Sequence, residues 1–180
     1  DLYSNNGNAS SAQIVNLSNT DQGALTGGET TVLIGFVTDL LPSGSEEIEL
    51  RPASNNAIYD PAGNPMPQTM ISARVTLPDR LPPEIIAASA SISNDNAYVI
   101  FTLTEGVYGV SEITTPVEPD DFAVEFIQNG GNATGAEVNY ITNYRQFPVI
   151  GGEDILRCYL TIQGTPSGHE RLYIRATDDH

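Results

Sequence analysis

The run Ala97-Tyr98-Val99-Ile100-Phe101-Thr102-Leu103, entered through Ser93-Asn94-Asp95-Asn96, decides how the rest of the chain reads. β-Branched and aromatic residues favour the pleated, half-buried surface of a strand, and a cluster of Ser, Asn and Asp favours a turn. With Ile86 to Ser93 on the far side of that turn, the segment predicts a β-hairpin. Beyond it the apolar residues alternate with period two rather than 3.6, which predicts strands at 122–127, 136–142, 154–162 and 169–176. Ahead of it the same alternation predicts strands at 12–17, 30–38, 46–51 and 70–77, divided by Gly27-Gly28 and Pro42-Ser43-Gly44. No stretch carries a capped amphipathic helix. Many short strands between turn clusters point to an all-β fold, namely antiparallel Greek-key sandwiches of the immunoglobulin kind.

The chain also repeats itself. An ungapped shift of 124 residues lays Asn5–Ser54 over Asn129–Asp178 and matches Asn5, Gly7, Asn8, Ala9, Ala12, Asn19, Gly27, Gly28, Glu29, Pro42, Ser43, Gly44, Glu46 and Arg51 with identical residues. With Gln22, matched by Gln146, those are 15 identities in 50 positions, where unrelated segments would give roughly three. Apolar positions correspond as well, among them Leu17 with Ile141, Val32 with Leu156 and Ile34 with Cys158. Prolines gather at Pro78-Asp79-Arg80-Leu81-Pro82-Pro83, where a stiff connector between modules is expected. The expected organisation is therefore residues 1–80 as the C-terminal part of a first module and 81–180 as the N-terminal and central part of a second. On that count the second module lacks the counterpart of 55–78.

Composition narrows the function. The chain has 180 residues, no Lys, 7 Arg and 23 Asp and Glu, for a net charge of -16. Binding to nucleic acid or to an anionic membrane through phosphate neutralisation has almost no cations to use. The longest apolar runs, such as Val32 to Val37, fall far short of the roughly 20 residues of a spanning helix. The lone cysteine, Cys158, permits no internal disulfide, and its place in an apolar run predicts a buried, unreactive thiol.

Ile58-Tyr59-Asp60-Pro61-Ala62-Gly63-Asn64-Pro65 near the end of one module, followed by Leu81-Pro82-Pro83-Glu84-Ile85-Ile86 at the start of the next, resembles the bacterial Ig-like tandem repeats of cell-surface, S-layer and adhesin proteins. Phe101-Thr102-Leu103-Thr104-Glu105-Gly106-Val107 matches the Phe-rich strand of those repeats, which runs into a Glu before a Val. Only one Asp-x-x-Gly-Asn turn is present, where two whole modules would carry two. The resemblance implies a non-catalytic spacer, adhesive or lattice-forming role at the cell surface or outside the cell. The partners it implies are neighbouring modules of the same chain or identical subunits.

No enzyme is expected from the residue inventory. His169 aligns with Ser45 of the other repeat, His180 is terminal, and no nucleophile elbow, phosphate loop or histidine-rich metal motif occurs. Calcium is the more plausible chemistry, because Asp, Asn and Glu supply the hard oxygen ligands that it selects. The candidates are Asp60 and Asn64 in one turn and Asp79 and Glu84 flanking the connector, with Glu105, Asp178 and Asp179 at strand ends. The competing expectation is that Asp60 and Asn64 simply cap their own turn.

Asn8, Asn16 and Asn132 begin Asn-x-Ser/Thr sequons. Asn8 and Asn132 are equivalent in the repeat and are the glycosylation candidates, although a shared turn would produce the same match. Tyr98, Tyr108, Tyr140, Tyr144 and Tyr173 are candidates for a sugar-stacking surface or for a core rim. The expected function is a structural or adhesive module of a surface fibre or lattice; the alternative is a carbohydrate- or protein-binding module. A binding module should carry an exposed aromatic cluster in one repeat that its sister lacks.

Overall fold

The fold is that of a computed structural model describing residues 1–111 and 113–177. The chain forms two compact units, Asp1–Pro82 and Pro83–His180. Among the described residues it is all-β, and its only helical elements are two three-residue 3-10 turns, Ala87–Ser89 and Pro119–Asp121.

The first unit holds β1 (Leu2–Tyr3), β2 (Ala12–Ser18), β3 (Leu33–Thr38), β4 (Glu47–Ile48) and β5 (Val75–Thr76). β1, β4 and β5 make one antiparallel sheet in the order β1-β4-β5, and β2 and β3 make a separate two-stranded ribbon. Little of this unit is buried. Among the described residues its buried hydrophobic side chains are Ala9 and Leu77, accompanied by the buried carboxylates Glu46 and Glu49.

The second unit holds β6 (Ser91–Ile92), β7 (Tyr98–Val107), β8 (Phe122–Ile127), β9 (Gly135–Asn143), β10 (Glu153–Gln163) and β11 (Arg171–Ala176). One sheet runs β6-β7-β10-β9 and the other β11-β8. Alternation turns Val99, Phe101 and Leu103 of β7 and Leu156 and Cys158 of β10 to one side, where they form a single core with Phe122 of β8 and Ile141 of β9. Leu172 and Ile174 of β11 pack against it. The rings of Phe101 and Phe122 meet with centroids 5.8 Å apart, joining the two sheets. Burying such a side chain contributes roughly 1.5–3 kcal/mol, and Phe101 and Leu156 are both essentially inaccessible to solvent.

The strand ladders of the two units coincide under the shift of 124. Leu2 faces Ile48 and Tyr3 faces Glu47, while Phe126 faces Leu172 and Ile127 faces Arg171. Ile14 faces Phe36 and Leu17 faces Ile34, as Val138 faces Leu160 and Ile141 faces Cys158. Both ladders skip one residue at the same place, Val15 in β2 and Asn139 in β9, so even the β-bulge is shared.

Three expected strands shrink to two-residue pairings, and those expected at 30–38 and 169–176 begin later, at Leu33 and Arg171. The regular pairing of 86–93 is confined to Ser91–Ile92, with single backbone bonds from the Ile86 and Ser93 amides to β7, because the Ser89 hydroxyl takes the amide of Thr102 at 2.7 Å and replaces a backbone partner of β7. The segment 46–51 pairs only at Glu47–Ile48, since the Glu46 side chain is turned inward and the Leu50 amide is held by the Ser72 hydroxyl at 2.9 Å. The regular pairing of 70–77 is confined to Val75–Thr76, against those same two residues of β4, with single backbone bonds from the Ser72 amide to the Leu50 carbonyl and from the Leu77 amide to the Glu46 carbonyl.

Candidate functional site

The residues shared by the two units build the same devices twice. The carboxylate of Glu46 accepts the amide of Ala9 at 2.7 Å and that of Ser43 at 2.8 Å. Glu170 accepts the amides of Ala133 at 3.0 Å and Ser167 at 3.0 Å. Burial opposes the charge on Glu46, but these amides and the Ser43 hydroxyl outweigh it and hold the pKa at about 2. For Glu170 the Ala133 amide leads, against burial, and the Ser167 amide and hydroxyl add to it, again giving about 2.

Gly7 and Gly131 lie against these carboxylates, and a Cβ on either would overlap the carboxyl group. Asn5 and Asn129 donate their side-chain amides to the carbonyls of Ser45 and His169, at 3.1 Å and 2.9 Å. At the hairpin turns, Asn19 Oδ1 accepts the amides of Asp21 and Gly23, and Asn143 Oδ1 those of Arg145 and Phe147. Glu29 and Glu153 likewise cap the loops at Gly27 and Gly151. The shared polar residues thus hold turns.

Two of the expected calcium ligands, Asp60 and Asp79, are engaged in their own turns. Asp60 Oδ1 accepts the amides of Ala62 at 2.9 Å and Asn64 at 2.8 Å, and its Oδ2 accepts the Asn64 side-chain amide at 2.9 Å. The Asn64 bonds hold the Asp60 carboxyl below the usual carboxylate range. Asp79 accepts the amide of Leu81 at 2.9 Å, and Glu84, in the other unit, donates its backbone amide to the Thr104 hydroxyl. Among the described residues no three His, Cys, Asp or Glu side chains gather as a metal-holding group. Glu105 lies on β7, and Asp178, Asp179 and His180 fall outside the described residues.

Of the sequon residues, Asn8 donates its side-chain amide to the Leu41 carbonyl at 3.0 Å, while Asn132 is exposed. His169 is exposed, with its ring 3.4 Å from the Ser167 hydroxyl. Cys158 is inaccessible, and burial pushes its thiol up to about 12.

The tyrosines give the second unit a feature of its own. Tyr98, Tyr159 and Tyr140 stand opposite one another on β7, β10 and β9. Tyr140 and Tyr159 stack with centroids 4.1 Å apart, and Tyr98 tilts against Tyr159 at 5.4 Å. The Arg157 guanidinium lies 4.3 Å over the Tyr98 ring and donates to the Tyr144 carbonyl. In the first unit the positions equivalent to Tyr140 and Tyr159 are Asn16 and Gly35. Sequence reasoning named Tyr98, Tyr140 and Tyr144 but missed Tyr159 and Arg157, whose period-two spacing in β10 was the available clue. Tyr108 and Tyr173 lie apart from this ladder; Tyr173 borders an apolar groove of about 560 Å³ lined by Ile85, Ile92, Phe101, Leu172 and Ile174.

Compared with known proteins, the chain matches no family model, no curated protein and no solved structure.

Proposed function

We propose that the chain is a non-catalytic structural piece of a tandem array of Ig-like, Greek-key modules, serving as a spacer or building block of a fibre or lattice at the cell surface or outside the cell. The observation that carries this reading is the doubled ladder: two stretches 124 residues apart share their strand register, their β-bulge and their turn-holding carboxylates. Selection for a ligand site would preserve side chains on a face. What is alike here is the set that holds the chain in shape. The test is the denatured mass of the native polypeptide detected with an antibody against this chain. A mass well above that of a 180-residue chain is expected, and a native polypeptide of only that length overturns the array. Calcium at a module junction belongs to the same reading, and a melting temperature unchanged by chelator at low ionic strength removes it.

The second reading, a carbohydrate- or protein-binding module, is favoured by the tyrosine ladder, present in one unit and replaced by Asn16 and Gly35 in the other. The outer ring of the stack, Tyr140, is 47% exposed and offers one free face to a sugar ring or an apolar side chain. Titration with neutral and uronate-bearing hexasaccharides, followed by tyrosine fluorescence, tests the sugar arm. Y140A should weaken any binding at least tenfold, and a flat titration with both sugars overturns that arm.

A further inference from the structure

The tandem-module reading leaves open what one module offers another, and the inference that follows rests on it. Among the described residues, β10 is paired on both sides, to β9 and to β7, whereas β3 is paired to β2 alone. β7 sets Tyr98, Val99, Ile100 and Phe101 opposite Tyr159, Cys158, Arg157 and Leu156. Under the shift of 124 those partners become Gly35, Ile34 and Leu33 of β3 and Val32 just ahead of it. The faces differ accordingly. Leu156 is fully buried and Ile141 is 8% exposed, but their counterparts Val32 and Leu17 are 40% and 49% exposed. Ile14 and Phe36 complete this uncovered apolar face. An open strand edge beside such a face leaves backbone donors and acceptors unpaired and apolar surface in water, and both are relieved by one added strand.

We infer that the open edge of β3, with the face formed by Ile14, Leu17, Val32 and Phe36, is a receiving site for an extended strand of β7's chemistry. The occupant runs antiparallel to β3, is uncharged, and turns Val- and Phe-type side chains inward as Val99 and Phe101 do. It is the opening segment of a module of this kind. A folded second copy of the chain does not supply it through its own β7, because that strand is already held between β6 and β10.

The experiment fuses a second copy of residues 83–124 directly ahead of Asp1 of the full chain. The fusion keeps the repeat in phase, since Asp1 is the counterpart of Glu125. Amide hydrogen exchange at 32–35 should slow at least 100-fold relative to the unfused chain, and an I34C thiol should become equally resistant to labelling. Replacing the added Val99 and Phe101 by Asp should restore fast exchange.

If the fusion misfolds, a synthetic peptide of residues 90–108 titrated onto the full chain should perturb the β3 amides selectively. Unchanged exchange in a folded fusion, with β10 still protected, overturns the inference. So does an unfused chain that already protects β3 by dimerising through it. Protection in the fusion combined with a native polypeptide no longer than this chain would keep the receiving edge and discard the array, so the two proposals fail separately.

Discussion

The hairpins β2-β3 and β9-β10 have the same register, the same Asn-headed turn and the same bulge, yet one lies bare and the other lies at the heart of a core. The backbone of the turn does not distinguish them. Gln22 and Gln146 adopt matching left-handed conformations, with φ of 63° and 67°, and Gly27-Gly28 matches Gly151-Gly152. What differs is the neighbour: β10 has β7 beside it and the β11-β8 sheet across the core. Hairpin geometry is thus encoded locally, by turn-holding residues that act within their own loops. Burial is encoded by partners far away in the chain.

The sharpest way to break this contrast is a pair of equivalent truncations. L156A should cost about 2–5 kcal/mol in denaturant unfolding, because the surrounding core closes only partly over the lost atoms. V32A, at the equivalent position of the other repeat, should cost less than about 0.5 kcal/mol. Equal costs would mean that β3 is covered in solution as β10 is.

The glycines should behave in the opposite way. G7A and G131A each push a methyl into a carboxylate-filled turn, and each should cost about 1–3 kcal/mol, since the turn is built alike in both units. Hydrogen exchange that resolves the units separately checks whether the losses match.

Acid should act on both units through the same groups. Glu46 and Glu170 titrate at about 2 in the folded chain instead of the ordinary 4.5. A folded pKa below the unfolded one means that the stabilisation is fully present above pH 4.5 and is lost as the pH falls from there towards 2. Urea midpoints at pH 6, 4 and 3 should fall, and E46Q and E170Q should each flatten the slope within their own unit.

The smallest expected change separates the faces. Y140A should cost about 0.5–1.5 kcal/mol through the lost stack, while N16A at the equivalent position, which has no ring partner, should be close to neutral by the same measurement.

The repeat made the turns legible, because Asn5, Gly7, Glu29, Glu46 and their counterparts recur at one spacing. Most strands were legible from alternation, including β10 with its inward Leu156 and Cys158. What Glu46 and Glu170 bond was not, since a shared residue shows that a position matters without showing what it touches. The tyrosine ladder was hidden for another reason: Tyr98, Tyr140 and Tyr159 lie far apart in the sequence and meet only through ladder register. The shortening of the strand at 86–93 reflects a serine hydroxyl that replaces a backbone partner, a competition that a count of apolar residues does not register.

The carboxylate clasps also act as cross-links. Glu46 ties itself to Ala9 and Glu170 to Ala133, each across 37 residues of chain, the topological work that a disulfide does when it closes a long loop. With its one cysteine buried, the chain closes these loops without thiol chemistry. They therefore do not depend on the redox state of the surroundings, and protonation of the two carboxylates weakens them.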